Sequence, residues 1–194
     1  MKGIFLDSET NGLNPYRHCL IEIAYKIIDL RSGAEEASFQ AVVYQTQSAW
    51  KASDPASLAI NGFTYDEVQA GIPIAEVSLS VQKDFNAHSI KRGEAVFVCQ
   101  NPSFDRSFFA QLIDPSLQER LHLPYHWLDL ASMYWAESMR SGRKEQKKLP
   151  WNTGFSKDKI AAVYGIPPES TPHRAMQGVE HLIACYSAVV GFSC

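Results

Sequence analysis

Two acidic residues near the start of the sequence have a spacing that suits metal binding. Asp7 and Glu9 follow a short apolar run, residues 2–6, that predicts a buried strand. Because alternate residues of a strand share a face, both carboxylates can point the same way. Like charges this close are costly unless a positive charge lies between them, and a hard divalent cation meets that need. The alternative is a solvated pair of acids at a strand end, since this spacing often arises by chance.

Asp105 ends a second polar segment, residues 100–105, which is a further candidate site. The segment follows the apolar run 95–99, typical of a strand buried on both faces, and leads into a predicted helix. Ligand sites of α/β sheets form at this edge, where strands are followed by helices. Asp105 is therefore a candidate metal ligand, although a carboxylate in a first helical turn also interacts favourably with the helix dipole.

A histidine late in the chain completes the set of candidate residues. His173 lies just ahead of the last predicted helix. The apolar residues of that helix recur at helical spacing: Ala175, Met176, Val179, Leu182, Ile183, Tyr186 and Val190. A single histidine beside a helix start is usually structural or merely exposed. This helix must pack against the sheet that carries the acids, however, which would bring His173 toward them.

The elements that position these residues predict a mixed sheet. Five segments are expected to be strands: residues 2–6, 20–30, 38–44, 95–99 and 125–128. The first three are joined by short turns, which implies an antiparallel meander, and the last two alternate with helices. This order predicts an α/β architecture of about five strands, three antiparallel and then parallel, with helices on both faces. We expect one domain covering residues 1–194.

Capping signals mark the starts of the predicted helices. Asp54 precedes Pro55, and Thr64 with Glu67 forms a capping-box pattern, so a short helix is expected at each place. Longer helices are expected to begin at Pro73, Ser103, Asp129 and Ser156 and to end near residues 89, 113, 140 and 165.

The composition is that of a globular chain without a strong overall charge. Hydrophobic residues make up 45% of the 194 residues, and the net charge is -3, so nucleic-acid binding would depend on local charge and on metals. The four cysteines lack paired metal spacing and favour a reduced, cytoplasmic location. No apolar run reaches the roughly 18 residues of a membrane span, and no signal peptide is expected.

Five short segments share a pattern with one nuclease family. Residues 7–13, DSETNGL, are similar to DxETxGL; residues 101–105, NPSFD, to NxxFD; and residues 173–176, HRAM, to the start of HxAxxD. Residues 21–24 and 60–64 are similar to the stretches IxEIA and xHGIT. These are motifs of the DnaQ-like (DEDDh) 3′-5′ exonucleases. They occur in the correct order over nearly the whole chain, which therefore resembles that family.

The resemblance implies a ribonuclease H-like fold and metal-dependent hydrolysis of phosphodiester bonds at the 3′ end of single-stranded DNA or RNA, releasing nucleoside monophosphates. By this similarity, Asp7, Glu9 and Asp105 would hold two Mg²⁺ or Mn²⁺ ions, and His173 would act as the general base. The expected substrate contacts are Thr10, Leu13, Asn61, Gln100, Asn101 and Phe104. A DNA polymerase and a second copy of the chain are the protein partners that the resemblance leaves open. No membrane partner is expected.

One position departs from the family pattern. The resemblance leads us to expect a fourth carboxylate five residues after His173, where this chain has Gly178. The apolar stripe places residue 178 facing the sheet, whereas Glu180, the nearest acid, is rotated by about 200° to the outward side. Three interpretations stay open. Water completes the metal site, the enzyme is weakened, or the chain is a catalytically poor nucleic-acid-binding or polymerase-associated domain.

Residues 140–159 form a concentrated basic stretch that also contains Trp151 and Phe155. Its cations are Arg140, Arg143, Lys144, Lys147, Lys148, Lys157 and Lys159. We expect this stretch to border the cleft and attract phosphates, with Trp151 and Phe155 stacking on the bases of a single strand. The alternative is a solvated loop with two aromatic residues anchored in the core. The sequence does not decide between DNA and RNA.

Overall fold

The computed structural model of the protein describes residues 1–145 and 149–192, without the side chains of residues 142–145. Its strands are β1 (Lys2–Thr10), β2 (Leu20–Asp29), β3 (Glu35–Val42), β4 (Ala95–Cys99) and β5 (Trp127–Asp129). They form one sheet in the order β3-β2-β1-β4-β5. The pairs β1–β2 and β2–β3 are antiparallel, and β1–β4 and β4–β5 are parallel. The predicted mixed α/β sheet is confirmed.

Helices lie between β3 and β4, between β4 and β5, and after β5. Their bounds are α1 (Gln47–Lys51), α2 (Pro55–Asn61), α3 (Tyr65–Gln69), α4 (Ile74–Ala87), α5 (Pro102–Leu112), α6 (Pro115–Arg120), α7 (Leu130–Glu145), α8 (Pro150–Thr153), α9 (Lys157–Val163) and α10 (Ala175–Val189). Within the described residues, none of them is long and apolar enough to cross a membrane. Of the predicted basic stretch, Lys147 and Lys148 lie outside the described residues, as do the side chains of Arg143 and Lys144.

The helix starts follow local capping chemistry. The Asp54 side chain accepts a hydrogen bond from the Ala56 amide, and Thr64 and Glu67 form the predicted capping box. Helix α5 begins earlier than predicted, at Pro102, and Ser103 is not its cap. Proline at a first helical position has its φ preset and needs no amide partner, so the helix can start there.

The first strand is longer than predicted because its polar end stays paired. Asp7 lies opposite Ala24, and Glu9 lies opposite Glu22, so β1 continues alongside β2 to Thr10. The prediction that the strand ends at Leu6 was wrong, because backbone pairing with β2 outweighs the polar character of the sequence after Leu6.

Two hydrophobic cores lie on opposite faces of the sheet. Ile4 and Leu6 of β1 pack in a cluster with Phe108 of α5, whereas Phe5 packs in a second cluster formed with α7, α9 and α10. Since side chains alternate along a strand, β1 contributes to both. Helices therefore cover both faces, as predicted, and the odd-numbered residues of β1 face α10.

Candidate active site

Asp7 and Glu9 lie on the face of β1 that α10 covers. Phe5, two positions before Asp7, packs with its ring centroid 5.0 Å from that of Tyr186 of α10. Strand alternation then places Asp7 and Glu9 on this same face, beyond the end of the hydrophobic cluster. The two carboxylates share a face, as their spacing predicted.

Asp105 approaches from the first turn of α5. Its side chain is buried, and its Oδ1 accepts a 2.7 Å hydrogen bond from the hydroxyl of Ser8. Ser8 lies between the two acids of β1 and points to the opposite face, where α5 packs. Sequence reasoning missed Ser8, although a hydroxyl between two candidate ligands was the available signal.

One cavity of about 410 Å³ brings the predicted catalytic residues together. Its lining residues are Asp7, Ser8, Glu9, Leu13, Gln100, Asn101, Phe104, Asp105, Ser156, Lys157, Asp158, Glu169 and His173. These residues come from β1, the end of β4, α5, α9 and the loop before α10. Side chains that are distant in the sequence therefore meet at the edge of the sheet where parallel strands end.

Burial raises the pKa values of three acids of this cavity, Asp7, Glu9 and Asp105. Burial, together with the neighbouring charge of Asp7, raises the pKa of Glu9 to about 8. The same two causes raise the pKa of Asp105 to about 8, against the lowering effect of the Ser8 hydrogen bond. Burial also raises the pKa of Asp7, and Lys157 opposes this rise. A cation placed among these groups would stabilise their charged forms.

These raised pKa values predict how the stability of the metal-free protein depends on pH. Glu9 has an ordinary pKa of 4.5 and a folded pKa of about 8, so between these values the folded state binds more protons than the unfolded state. The free energy of unfolding must then fall as pH rises through this window, by on the order of a few kcal/mol. Urea unfolding in EDTA at pH 5.5 and pH 8.5 measures it. In Glu9→Gln the fall should be smaller. An unfolding free energy that rises with pH would contradict the assignment.

Gly178 lies against β1 and leaves room for the Asp7 carboxylate. It is buried on α10, and a Cβ atom at this position would overlap the carboxylate of Asp7. Glu180 is exposed, and its Oε1 lies 3.1 Å from Nζ of Lys26 on β2. Residue 178 therefore faces the sheet as predicted, and Glu180 does not reach the cavity.

Lys157 and Glu169 occupy the space beside Gly178. Lys157 Nζ lies 2.7 Å from Glu169 Oε2, 3.3 Å from the Gly178 carbonyl oxygen and 3.5 Å from Asp7 Oδ1. The two side chains are only 12% and 3% exposed. Burial alone would lower the pKa of Lys157, but the charges of Asp7 and Glu169 outweigh it and raise that pKa. Sequence reasoning assigned Lys157 only to the basic stretch and missed Glu169, because nothing local links either residue to β1.

His173 lies at the open side of the cavity. Its side chain is 32% exposed, and its Nδ1 lies 3.8 Å from Oε1 of Glu169. The His173 backbone amide donates to the carbonyl oxygen of Ile60, which ties this loop to the end of α2. The imidazole is therefore accessible to a substrate, while the backbone of His173 is anchored to α2.

Thr10 and Asn61 line a smaller cavity of about 140 Å³ that adjoins the first. The Thr10 hydroxyl donates to the carbonyl oxygen of Gly12, and the Asn61 amide donates to the Thr10 carbonyl oxygen and accepts from the Phe63 amide. Their polar groups hold the loop after β1 in place. Any substrate contact of these two residues would use the remaining surface of their side chains.

The other predicted substrate residues surround the main cavity. Leu13 is 73% exposed, and Phe104 lies beside it as a lining residue of both cavities. Gln100 donates from Nε2 to the Phe155 carbonyl oxygen, while its Oε1 is buried without a hydrogen-bond partner among the described residues. Asn101 accepts a hydrogen bond from Ser103. Leu13 and Phe104 thus give the main cavity an apolar edge, and Gln100 and Asn101 add polar groups to its lining.

Three exposed aromatic residues lie next to the main cavity. Trp135 stands with its ring centroid 5.6 Å from that of Trp151 and 5.8 Å from that of Phe155. All three are at least 40% exposed, so Trp151 and Phe155 are not anchored in the core. Phe155 also lines a second cavity of about 440 Å³, which shares Gln100, Asn101 and Ser156 with the main one. Trp135, which sequence reasoning missed, completes this aromatic cluster.

The donor set of the main cavity fits a divalent cation in type and charge. Asp7, Glu9 and Asp105 offer carboxylate oxygens, which Mg²⁺ and Mn²⁺ prefer as ligands. Across residues 1–145 and 149–192, no three His, Cys, Asp or Glu side chains are already arranged to hold a metal ion. Asp105 is held by Ser8 and Asp7 is held by Lys157. The carboxylates would therefore have to close around the ion.

Comparison with known proteins agrees with this geometry. Residues 4–186 match the RNase_T family, which is described as an exonuclease family. The oligoribonuclease of Tropheryma whipplei (strain Twist) is 26% identical over 151 residues, which cover 74% of this chain and 79% of the relative.

Solved nuclease structures share the fold. E. coli exonuclease I in complex with a dT13 oligonucleotide has a TM-score of 0.74 at 20% identity, and the similarity covers 97% of this chain and 41% of that chain. The zinc ion bound form of the E. coli ExoI–ssDNA complex has a TM-score of 0.71 at 19% identity, covering 97% and 40%. The chain thus spans less than half the length of these structures. Because the family match covers nearly the whole sequence, the chain belongs to the RNase_T exonuclease family, within the DnaQ-like, ribonuclease H-like superfamily.

Proposed function

We propose that this chain is a metal-dependent 3′-5′ exonuclease that hydrolyses phosphodiester bonds at the 3′ end of single-stranded DNA or RNA and releases nucleoside monophosphates. The observation that carries the proposal is the convergence of Asp7, Glu9, Asp105 and His173 in one cavity. Buried acids that repel one another are unfavourable by themselves, and a cation-dependent reaction gives them a purpose.

The predicted residues of the cavity have separate roles in this reaction. Asp7, Glu9 and Asp105 hold Mg²⁺ or Mn²⁺, which when bound supplies positive charge to the phosphate and makes water a better nucleophile. His173 accepts the proton of the attacking water. Leu13 and Phe104 enclose the terminal base from the apolar edge of the cavity. Gln100 and Asn101 line the same cavity and provide polar surface for the sugar and phosphate.

A labelled single strand provides the direct test. With a 5′ label and Mg²⁺ or Mn²⁺, the unaltered protein should produce a ladder of products shortened from the 3′ end, and EDTA should stop the reaction. DNA and RNA of the same sequence, compared side by side, identify the preferred sugar. Shortening that proceeds unchanged in EDTA would contradict a metal-dependent site.

The aromatic cluster of Trp135, Trp151 and Phe155 provides a path for the rest of the strand. It adjoins the main cavity through Gln100, Asn101 and Ser156. Stacking on exposed aromatic rings is independent of base identity, which suits an enzyme that removes successive nucleotides. The oligonucleotide of the E. coli exonuclease I complex is consistent with a single strand as the ligand of this fold.

Replacing Trp151 by alanine should weaken the binding of single strands longer than a few nucleotides. Removing one stacked base is expected to reduce the binding free energy by about 1–3 kcal/mol. Tyr44→Ala is the matched control, because Tyr44 is a similarly exposed aromatic residue that lines none of these cavities. Fluorescence anisotropy in Ca²⁺ with strands of two to twelve nucleotides measures the effect. Equal loss of affinity for all lengths would place the strand elsewhere.

A second function is favoured by one observation, the glycine at position 178. Without a carboxylate there, the chain would be a catalytically weakened nucleic-acid-binding or polymerase-associated domain. This alternative predicts that the protein binds 3′ ends with little turnover. Multiple-turnover trimming by the unaltered protein excludes it. The polymerase and second-copy partners suggested by the resemblance stay predictions.

A further inference from the structure

We propose that the Lys157 ammonium, held by Glu169, replaces one of the two metal ions expected from the family pattern, so that this site works with one divalent cation and one lysine. The proposal rests on the proposed exonuclease function, which it deepens. It follows from the geometry around Gly178 and from the repulsion between the Lys157 ammonium and a second cation.

Other side chains already occupy the space at position 178. Gly178 is buried and faces β1, and a Cβ atom there would lie 3.1 Å from Lys157 Nζ as well as overlapping the Asp7 carboxylate. The volume that a side chain at this position would need is therefore already filled. Asp7 and Lys157 fill it with an ion pair, in which Nζ and Oδ1 are 3.5 Å apart.

The ammonium group of Lys157 has a fixed position. A lysine has three donor hydrogens, and Lys157 Nζ has three oxygen neighbours, on Glu169, Gly178 and Asp7. The Lys157 side chain is 12% exposed, unlike the solvated lysine expected of a basic loop. Its charge is therefore held beside Asp7 by three oxygen neighbours.

Glu169 holds Lys157 and lies near His173. Its Oε2 holds Lys157 at 2.7 Å, and its Oε1, which has no hydrogen-bond partner among the described residues, lies 3.8 Å from His173 Nδ1. One nearly buried carboxylate thus holds the lysine and faces the imidazole. It lies beside the same acids that a carboxylate at position 178 would have joined, but it is already paired with a cation of the protein.

Repulsion between positive charges limits the number of divalent ions that can bind beside Asp7. Five acids line the cavity, Asp7, Glu9, Asp105, Asp158 and Glu169, and Lys157 places a positive charge beside Asp7. A second divalent cation beside Asp7 would meet the fixed ammonium, and the repulsion is twice that between two single charges at the same distance. The site therefore favours one divalent ion.

Counting bound Mn²⁺ tests this inference separately from activity. Calorimetry or electron paramagnetic resonance on the metal-free protein should find one Mn²⁺ per chain. In Lys157→Met the repelling charge is absent, so we expect a second Mn²⁺ to bind while trimming slows. Lys83→Met, which changes an exposed lysine of α4 that lines neither the main nor the second cavity, should keep one Mn²⁺ and the full rate.

Substitutions at Gly178 provide a second test of the lysine replacement. Gly178→Asp should still bind one Mn²⁺ with no gain in rate, because the new carboxylate pairs with Lys157. The double variant Lys157→Met with Gly178→Asp should bind two. Gly178→Ala separates the steric displacement of Asp7 from the effect of the added charge.

The outcomes distinguish this inference from the proposed function. Two Mn²⁺ ions bound to the unaltered protein, together with trimming, would overturn the lysine replacement and leave the exonuclease intact. So would a large gain in rate from Gly178→Asp alone. One Mn²⁺ without any trimming would instead refute the exonuclease while the cation count stands. Because the unaltered protein gives the first result, the test does not depend on any variant folding.

Discussion

Replacing Asp7 by asparagine is expected to abolish metal-dependent trimming. The charge of Asp7 acts on both other carboxylates that we assign to the cation, because it raises the pKa values of Glu9 and Asp105. Asparagine keeps the shape but removes the charge that binds the cation. The rate should fall by more than the roughly 100-fold that is typical of a change behind a metal ligand. Initial rates on a labelled strand, with Mn²⁺ affinity measured in parallel, test this.

Stability should not follow activity in this variant. Burial raises the pKa of Asp7, so the charged carboxylate destabilises the metal-free fold, and asparagine should leave the unfolding midpoint unchanged or higher. Glu180→Gln is the matched control, because Glu180 is an exposed acid that pairs with Lys26 outside the cavity. It should retain the full rate. Equal rates for Asp7→Asn and Glu180→Gln would remove Asp7 from the catalytic site.

Local signals in the sequence were sufficient to predict most of the sheet and the helix starts. The alternation in β2, the apolar run of β4 and the caps at Asp54 and Thr64 each act over a few residues, and the structure has these elements nearly as predicted. Short helices were less visible. Asp114 and Pro115 start α6 with the same signal as Asp54 and Pro55, but the helix has only six residues and was missed.

The candidate site was predictable where a motif or a regular spacing of residues indicated it. The face of Gly178 followed from helical spacing, because 3.6 residues per turn relate it to the apolar stripe of α10. The Lys157–Glu169 pair could not be found this way. Glu169 lies in the loop before α10 and Lys157 in the first turn of α9, and only the packing of these segments against β1 brings them to Asp7. A change at one ligand position is therefore visible in the sequence, whereas the groups that fill its place are not.

Replacing His173 by alanine is expected to slow the chemical step and leave cation binding unchanged. Losing a general base costs about 10²–10⁴-fold in rate. We assign the cation to three carboxylates and not to His173. The imidazole lies on the open side of the cavity, with its Nδ1 3.8 Å from Oε1 of Glu169. Single-turnover rates with saturating Mn²⁺, and Mn²⁺ affinity measured separately, distinguish these two effects.

Added imidazole tests the role of His173 as general base by restoring a proton acceptor. The His173 side chain is 32% exposed and lines a cavity of about 410 Å³, so a small base can enter the space that alanine leaves. Imidazole should restore part of the rate in His173→Ala and none in Asp7→Asn, because only the first lacks a proton acceptor. His126→Ala, a change at an exposed histidine outside this cavity, should retain the full rate without imidazole. If His173→Ala instead loses Mn²⁺ binding and gains nothing from imidazole, His173 supports the cation and another group must accept the proton of the water.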